Sequence, residues 1–228
     1  MRRLVRDLSS VLIISGLLLV LDAGVTLVWQ EPVTAAIGLI KAGEVNKRFL
    51  TYQQAPLSAL DQHALQSLRT LNARVGYLAR QEQHAVPIGD AIGRIEIPKI
   101  GASFDIIQGT DTASLEKGPG HYPGTAFPGL GETVAIAGHR TTYLAPFRRI
   151  NELHPNDQIV LNMRYGRFTY VVQKTQIVLP TDVWVVNNVG YDRLVLSACN
   201  PLYSAAQRII VFARLADIQP RGASRTLA

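Results

Sequence analysis

Three side chains have the types and settings that acyl-transfer chemistry requires: the thiol of Cys199, the imidazole of His139 and the guanidinium of Arg208. Cys199 is the only cysteine of the chain and stands in Leu196-Ser197-Ala198-Cys199-Asn200-Pro201, where an apolar run meets a turn-forming Asn-Pro. A lone cysteine is ordinarily a small buried hydrophobe. In a domain sent out of the cytoplasm, however, a thiol with no intrachain partner is open to oxidation and becomes a candidate reactive group. His139 closes Thr133-Val134-Ala135-Ile136-Ala137-Gly138-His139, a buried strand pattern that delivers an imidazole at its C-terminal end. Arg208 stands near the start of Gln207 to Leu215, and period-two alternation puts it on one face with Ile210 and Phe212. A cation beside a thiol favours thiolate. If the three strand ends meet on one rim, cysteine supplies the nucleophile, histidine a proton and arginine a fixed donor for developing negative charge. The other histidines lack this delivery: His63 and His84 lie in a spacer, His121 in a Gly/Pro-rich loop and His154 before Pro155.

The elements that must position these groups are short alternating or apolar runs from Ile92 onward, punctuated by glycine, proline and asparagine. They predict an all-β domain with strands over Gly93 to Ile97, Ser103 to Gln108, Thr133 to Gly138, Gln158 to Met163, Gly166 to Val178, Arg193 to Ser197 and Ile209 to Leu215. One further short strand would close a small barrel. The stretch Lys117 to Thr125 is read as an irregular ordered loop or flap, because glycine and proline crowd it.

Ahead of this domain, Arg2, Arg3 and Arg6 precede the apolar stretch Leu8 to Trp29, in which Asp22 is the only charge. As a helix it spans roughly 33 Å, enough for a bilayer core. The basic flank predicts residues 1–7 inside, a membrane anchor over 8–29 with Trp29 at the outer interface, and the rest of the chain outside. A cleavable signal peptide, cut near Ala23 or Ala36, is the competing reading, but the apolar stretch is long for one. Residues 30–90 read as an extracellular spacer. Within it Leu57, Leu60, Ala64, Leu68, Leu71, Val75 and Leu78 predict one amphipathic helix of about six turns, laid against the catalytic domain rather than forming a self-associating stalk. Val86-Pro87-Ile88-Gly89-Asp90 ends it, leaving 91–219 as the catalytic β-domain and 220–228 as a tail.

Composition adds exclusions. With 47% apolar and 18% charged residues the chain can bury one good core. The net charge of +6 is spread out, without the aromatic-studded basic run that nucleic-acid binding calls for, and suits anionic lipid or cell-wall polymer better. Carboxylates with calcium-loop spacing are missing, so no metal and no cofactor are expected.

From Ile92 to about Ile218 the sequence resembles the sortases, membrane-anchored cysteine transpeptidases of Gram-positive bacteria, and within them the actinobacterial class E group. The resemblance rests on Ile95-Glu96-Ile97-Pro98-Lys99-Ile100-Gly101, Lys117-Gly118-Pro119-Gly120-His121-Tyr122-Pro123-Gly124-Thr125, Gly138-His139-Arg140-Thr141-Thr142-Tyr143 and Tyr165-Gly166-Arg167-Phe168-Thr169-Tyr170. Leu196 to Pro201 and Arg208 to Leu215 continue it in the same order. It implies an eight-stranded β-barrel with Cys199, His139 and Arg208 as the catalytic trio. It also implies cleavage of a Leu-Ala-x-Thr-Gly or Leu-Pro-x-Thr-Gly sorting signal, and transfer to an amine of a peptidoglycan precursor or a pilin lysine. Tyr122, Val178, Trp184 and Ala198 are candidate substrate-binding residues, with plain core packing as the alternative for the first three. Ala198 departs from the family, which usually shows threonine before the cysteine. Two other wall-associated cysteine enzymes fit less well: L,D-transpeptidases carry a Ser-His-Gly-Cys arrangement that is absent, and in NlpC/P60 hydrolases cysteine precedes histidine. A non-enzymatic β-domain that binds wall polymer, with Cys199 inert in its core, is the remaining alternative.

Overall fold

A computed structural model describes residues 2–28 and 32–225. Eight strands close into one barrel: β1 (Ala91–Ile97), β2 (Ala102–Gln108), β3 (Gly120–His121), β4 (Thr133–Ala137), β5 (Gln158–Met163), β6 (Gly166–Val178), β7 (Arg193–Asn200) and β8 (Gln207–Pro220). Their order around the barrel is β1-β2-β3-β4-β7-β8-β6-β5, with β2–β3 and β4–β7 parallel and the other pairs antiparallel. Period-two alternation decides which side chains go inside. On β7, Leu194, Leu196 and Ala198 join the main core, as do Ile209, Val211 and Ala213 of β8 and Val134 and Ile136 of β4. The intervening Val195, Ile210, Phe212 and Ala135 point the other way and build a second, smaller cluster with Val178 and Val185 on the outer face.

The closing strand is β3, inside the stretch expected to be irregular. Gly120 and His121 gain their extended conformation from neighbours on both sides, the parallel partner β2 and the antiparallel partner β4, rather than from local propensity. His121 is fully buried there. Its Nδ1 contacts Gln108 Oε1 at 2.8 Å and its Nε2 the carbonyl of Ala126 at 3.0 Å.

Among the described residues, four helices precede the barrel: α1 (Arg2–Val28), α2 (Pro32–Gln54), α3 (Ala59–Ser67) and α4 (Leu71–Ala85). Within α1, Val5–Thr26 is long and apolar enough to cross a membrane by length and composition, and none of it is buried against the rest of the chain. Trp29 lies outside the described residues. The single six-turn helix expected from Leu57 to Leu78 is two helices. Leu68 is extended, and the Thr70 hydroxyl accepts from Ala73 N at 3.2 Å, capping a new helix start. Leu65, Val75, Leu78 and Ala79 complete the main core, whereas Leu60 of the expected stripe faces solvent. The C-terminal segment read as a tail folds back as far as it is described. β8 runs to Pro220, and Ser224 Oγ, buried, donates to the Tyr165 carbonyl at 2.7 Å.

Two buried titrating groups give the fold a pH signature. Burial raises the Glu82 carboxyl from 4.5 to about 8, against the pull of Arg164, and its Oε2 has no hydrogen-bond partner. Burial lowers His121 from 6.5 to about 4. Between 4.5 and 8 the folded chain keeps a Glu82 proton that the unfolded chain has lost, so this term removes stability as pH rises. Between 4 and 6.5 the unfolded chain binds a His121 proton that the folded one refuses, so that term adds stability as pH rises. The two oppose each other in the acid range, and above 6.5 Glu82 acts alone. Melting curves should therefore fall from pH 6.5 to 8 in the native sequence and stay level in Glu82→Gln. Parallel declines in the two proteins would show that another group is responsible.

Candidate functional site

The β-sheet register brings the three chemically suited residues together. Cys199 and Arg208 are directly paired across β7 and β8. β4 runs parallel to β7 with Ala137 beside Ser197, and the Gly138 nitrogen donates to the Ser197 carbonyl at 3.0 Å. His139 and Cys199 thus each lie two residues past an aligned pair, at the same end of neighbouring strands. Counting by twos from the outer-face residues Ala135, Val195 and Phe212 leads to His139, Cys199 and Arg208, so all three occupy the outer face. All three are half-buried.

Local chain geometry fixes the histidine. Gly138 has no Cβ because the Phe147 ring occupies that space, and an added Cβ would come within 2.4 Å of it. The Phe147 nitrogen donates to the His139 carbonyl at 2.9 Å, closing the loop from His139 to Phe147. Tyr143, Leu144 and Ala145 in that loop all have positive φ, an unusual run for residues with side chains. The His139 and Tyr143 rings lie 5.3 Å apart at 39°. Burial pushes the imidazole below the usual histidine range, and the Glu116 carboxylate opposes that shift.

The arginine is also anchored. Arg208 Nη1 donates to the carbonyls of Ala205 and Gln207, both at 2.9 Å, which orients the planar head at the start of β8. A second guanidinium, unassigned by the sequence reading, holds the cysteine's backbone. Arg140 is buried, and its Nη1 donates to the Cys199 carbonyl at 3.3 Å and to Asn200 Oδ1 at 3.1 Å. Its Nη2 donates to Asn151 Oδ1 at 2.6 Å, and Nε reaches the Arg148 carbonyl at 3.3 Å. Burial pushes this guanidinium below the usual arginine range, nearby Arg148 deepens the shift, and Cys199 opposes it.

Beside the trio, the outer cluster forms an apolar floor. Tyr122 is half-buried against it and Val178 belongs to it, paired in register with Arg208. Trp184 stands in the 3₁₀ helix Val183–Val186, 45% exposed, and stacks on Phe212 at 6.4 Å. Arg193 braces that helix through Nη2 bonds to the carbonyls of Val185 at 2.9 Å and Asn187 at 2.7 Å. Ala198 is placed differently. It is buried in the main core opposite Ile209, on the face away from Cys199.

A half-buried thiol, an imidazole and an oriented guanidinium above an apolar strip make a site suited to an extended peptide and to nucleophilic acyl transfer. Residues 95–216 match the Sortase domain family. Sortase D of Bacillus subtilis is 38% identical over 130 residues, a match covering 55% of this chain and 64% of that protein's length, just under two thirds. Among solved structures, sortase E1 of Streptomyces coelicolor, determined with a tripeptide in its active site, superposes with a TM-score of 0.56 at 28% identity over 58% of this chain and 91% of that one. Sortase E of Streptomyces avermitilis gives 0.55 at 34% identity over 59% and 93%.

Proposed function

The chain belongs to the sortase family, and on that premise we propose that it is a membrane-anchored extracellular transpeptidase that cleaves a Leu-Ala-x-Thr-Gly or Leu-Pro-x-Thr-Gly signal between threonine and glycine. The observation that carries this reading is the pairing of Cys199 with Arg208, with His139 at the adjoining strand end. The Cys199 thiolate attacks the threonine carbonyl carbon, and the new oxyanion is held by Arg208 and backbone N–H groups. As the C–N bond to glycine breaks, the His139 imidazolium gives its proton to the leaving amine. A thioester between Cys199 and the threonine remains. An amine of a peptidoglycan precursor or a pilin lysine then attacks it, loses a proton to the His139 imidazole, and leaves an amide and a free thiolate.

Tyr122, Val178 and Trp184 line the strip where the residues before threonine would lie, which supports apolar recognition there. Ala198, pointing into the core, affects the site through packing and the position of the β7 backbone. The span Val5–Thr26 serves as the anchor, with Arg2, Arg3 and Arg6 on the inside and the barrel outside.

The test is incubation of the full chain in detergent micelles with both peptides and an oligoglycine amine. Ligated peptide carrying the oligoglycine after threonine is the expected product. Intact peptides with both sequences would contradict the reading.

A further inference from the structure

The matched domain begins at residue 95, yet the loop that carries His139 is held by a helix well before it. The α2 helix touches this loop at two points and reaches it at a third through Glu116. The Tyr143 nitrogen donates to Thr34 Oγ1 at 3.2 Å. Gly38 lies so close that an added Cβ would stand 3.1 Å from Leu144 Cγ and 3.3 Å from the Tyr143 backbone. Lys41 Nζ donates to Glu116 Oε2, and the other oxygen of that carboxylate accepts from the Tyr143 hydroxyl at 3.1 Å. Glu116 is the C-cap of the short helix α5 (Thr112–Leu115), so three separate parts of the chain meet at one carboxylate. The loop residues seated this way, Tyr143 and Leu144, are two of the three at positive φ, a conformation that side-chain-bearing residues hold only when their surroundings impose it.

We propose that Glu116, bridged to Lys41 of α2 and to Tyr143 beside His139, is a positioning residue through which the membrane-proximal helix governs the catalytic histidine. The proposal rests on His139 being the proton donor of the transpeptidation above. It adds a charge relation to that role. Glu116 favours the protonated imidazole that burial disfavours, and Lys41, itself bound to Glu116, offsets part of that negative charge. Around His139 the charged and titratable groups are Glu116, Tyr143 of its own loop, the adjacent Arg140, Lys41 and beyond it Glu44 of α2, and Cys199 and Arg208 on β7 and β8. Among them Glu116 is the carboxylate whose charge opposes the effect of burial on the imidazole. The α2 helix, which follows the proposed anchor in the sequence, thereby has a route through Lys41 and Glu116 to the proton that leaves with the cleaved amine.

The experiment uses the full chain in micelles or nanodiscs. The His139 resonance is followed by NMR against pH, assigned by its loss in His139→Gln, and kcat/KM for the sorting peptide is read over the same range. Glu116→Gln keeps an acceptor for Tyr143 but removes the charge. It should move the His139 midpoint to lower pH and lower kcat/KM several-fold at neutral pH, short of the loss of about 100-fold or more expected for His139→Gln. Lys41→Gln removes the offsetting cation and should move the midpoint the opposite way. A brace that acts only through stability would lower the melting temperature and leave both midpoints in place. Unmoved midpoints, or shifts of the same sign in the two variants, overturn the proposal. Opposite shifts in a protein that cleaves no sorting peptide would keep the coupling and refute the transpeptidase reading instead.

Discussion

Exchanging Arg208 for lysine is expected to lower kcat for sorting-peptide cleavage about 100- to 1,000-fold while the melting temperature barely changes. Charge alone would predict a mild effect, since lysine keeps the cation. The structure favours a geometric role. Nη1 of Arg208 serves the carbonyls of Ala205 and Gln207 at once, and that pair of contacts orients the planar head of the residue paired in register with Cys199. Guanidinium presents five donors in a rigid fork, so a head fixed along one edge can still aim others at a carbonyl or an oxyanion. An ammonium on a flexible stem is a hydrated point charge and cannot do both. Losing one oriented oxyanion donor costs about 2.7 to 4 kcal/mol of transition-state stabilisation. The measurement is kcat for the native chain, Arg208→Lys and Arg208→Ala, alongside melting curves. Arg208→Lys keeping more than about a tenth of native kcat, a cost of only about 1.4 kcal/mol, would refute the geometric role.

The second large effect is at His139. His139→Gln should reduce peptide cleavage by about 100- to 10,000-fold, the usual weight of a positioned proton donor. The control is the leaving group. A substrate with a thioester in place of the Thr-Gly amide expels a thiolate, which departs without a proton. Single-turnover acylation of His139→Gln by that substrate should recover to within about tenfold of the native chain, because the step that histidine assists has been removed. An equal loss on both substrates would assign His139 to another step. Since burial pushes the imidazole down, the native rate on the amide substrate should also fall as pH rises, with the fall beginning below the ordinary histidine range.

What the sequence made legible follows from the range over which each signal acts. In β7 the apolar run was legible but its facing was not: period-two alternation sends Leu194, Leu196 and Ala198 inward and leaves Val195, Ser197 and Cys199 outside, so Ala198, expected at the substrate, packs in the core instead. The same rule put Arg208 on a face with Ile210 and Phe212. Strand β3 was hidden, since a two-residue strand has no period and depends on partners elsewhere in the chain. The break between α3 and α4 was masked because both helices turn leucines toward the same core, so the apolar spacing continues across it. Thr70, a good N-cap residue, was the local signal that pointed to the break. Arg140 was visible as part of a Gly-His-Arg motif, yet its role depends on acceptors at Cys199, Asn200, Asn151 and Arg148, which the fold gathers and the sequence separates. The seat of α2 is more remote still, since the Tyr143–Thr34 contact joins positions 109 residues apart.

The central claim is that Cys199 becomes acylated by the threonine of a sorting signal. It is tested most directly by mixing the full chain with a Leu-Ala-x-Thr-Gly or Leu-Pro-x-Thr-Gly peptide without added amine, quenching in acid and mapping the adduct by mass spectrometry. The account predicts a thioester on Cys199 that carries the peptide up to threonine, is released by oligoglycine as ligated product, and is absent from Cys199→Ala. Cleavage of the peptide by Cys199→Ala at the native rate, or product formation with the acyl group mapped to another residue, would contradict it.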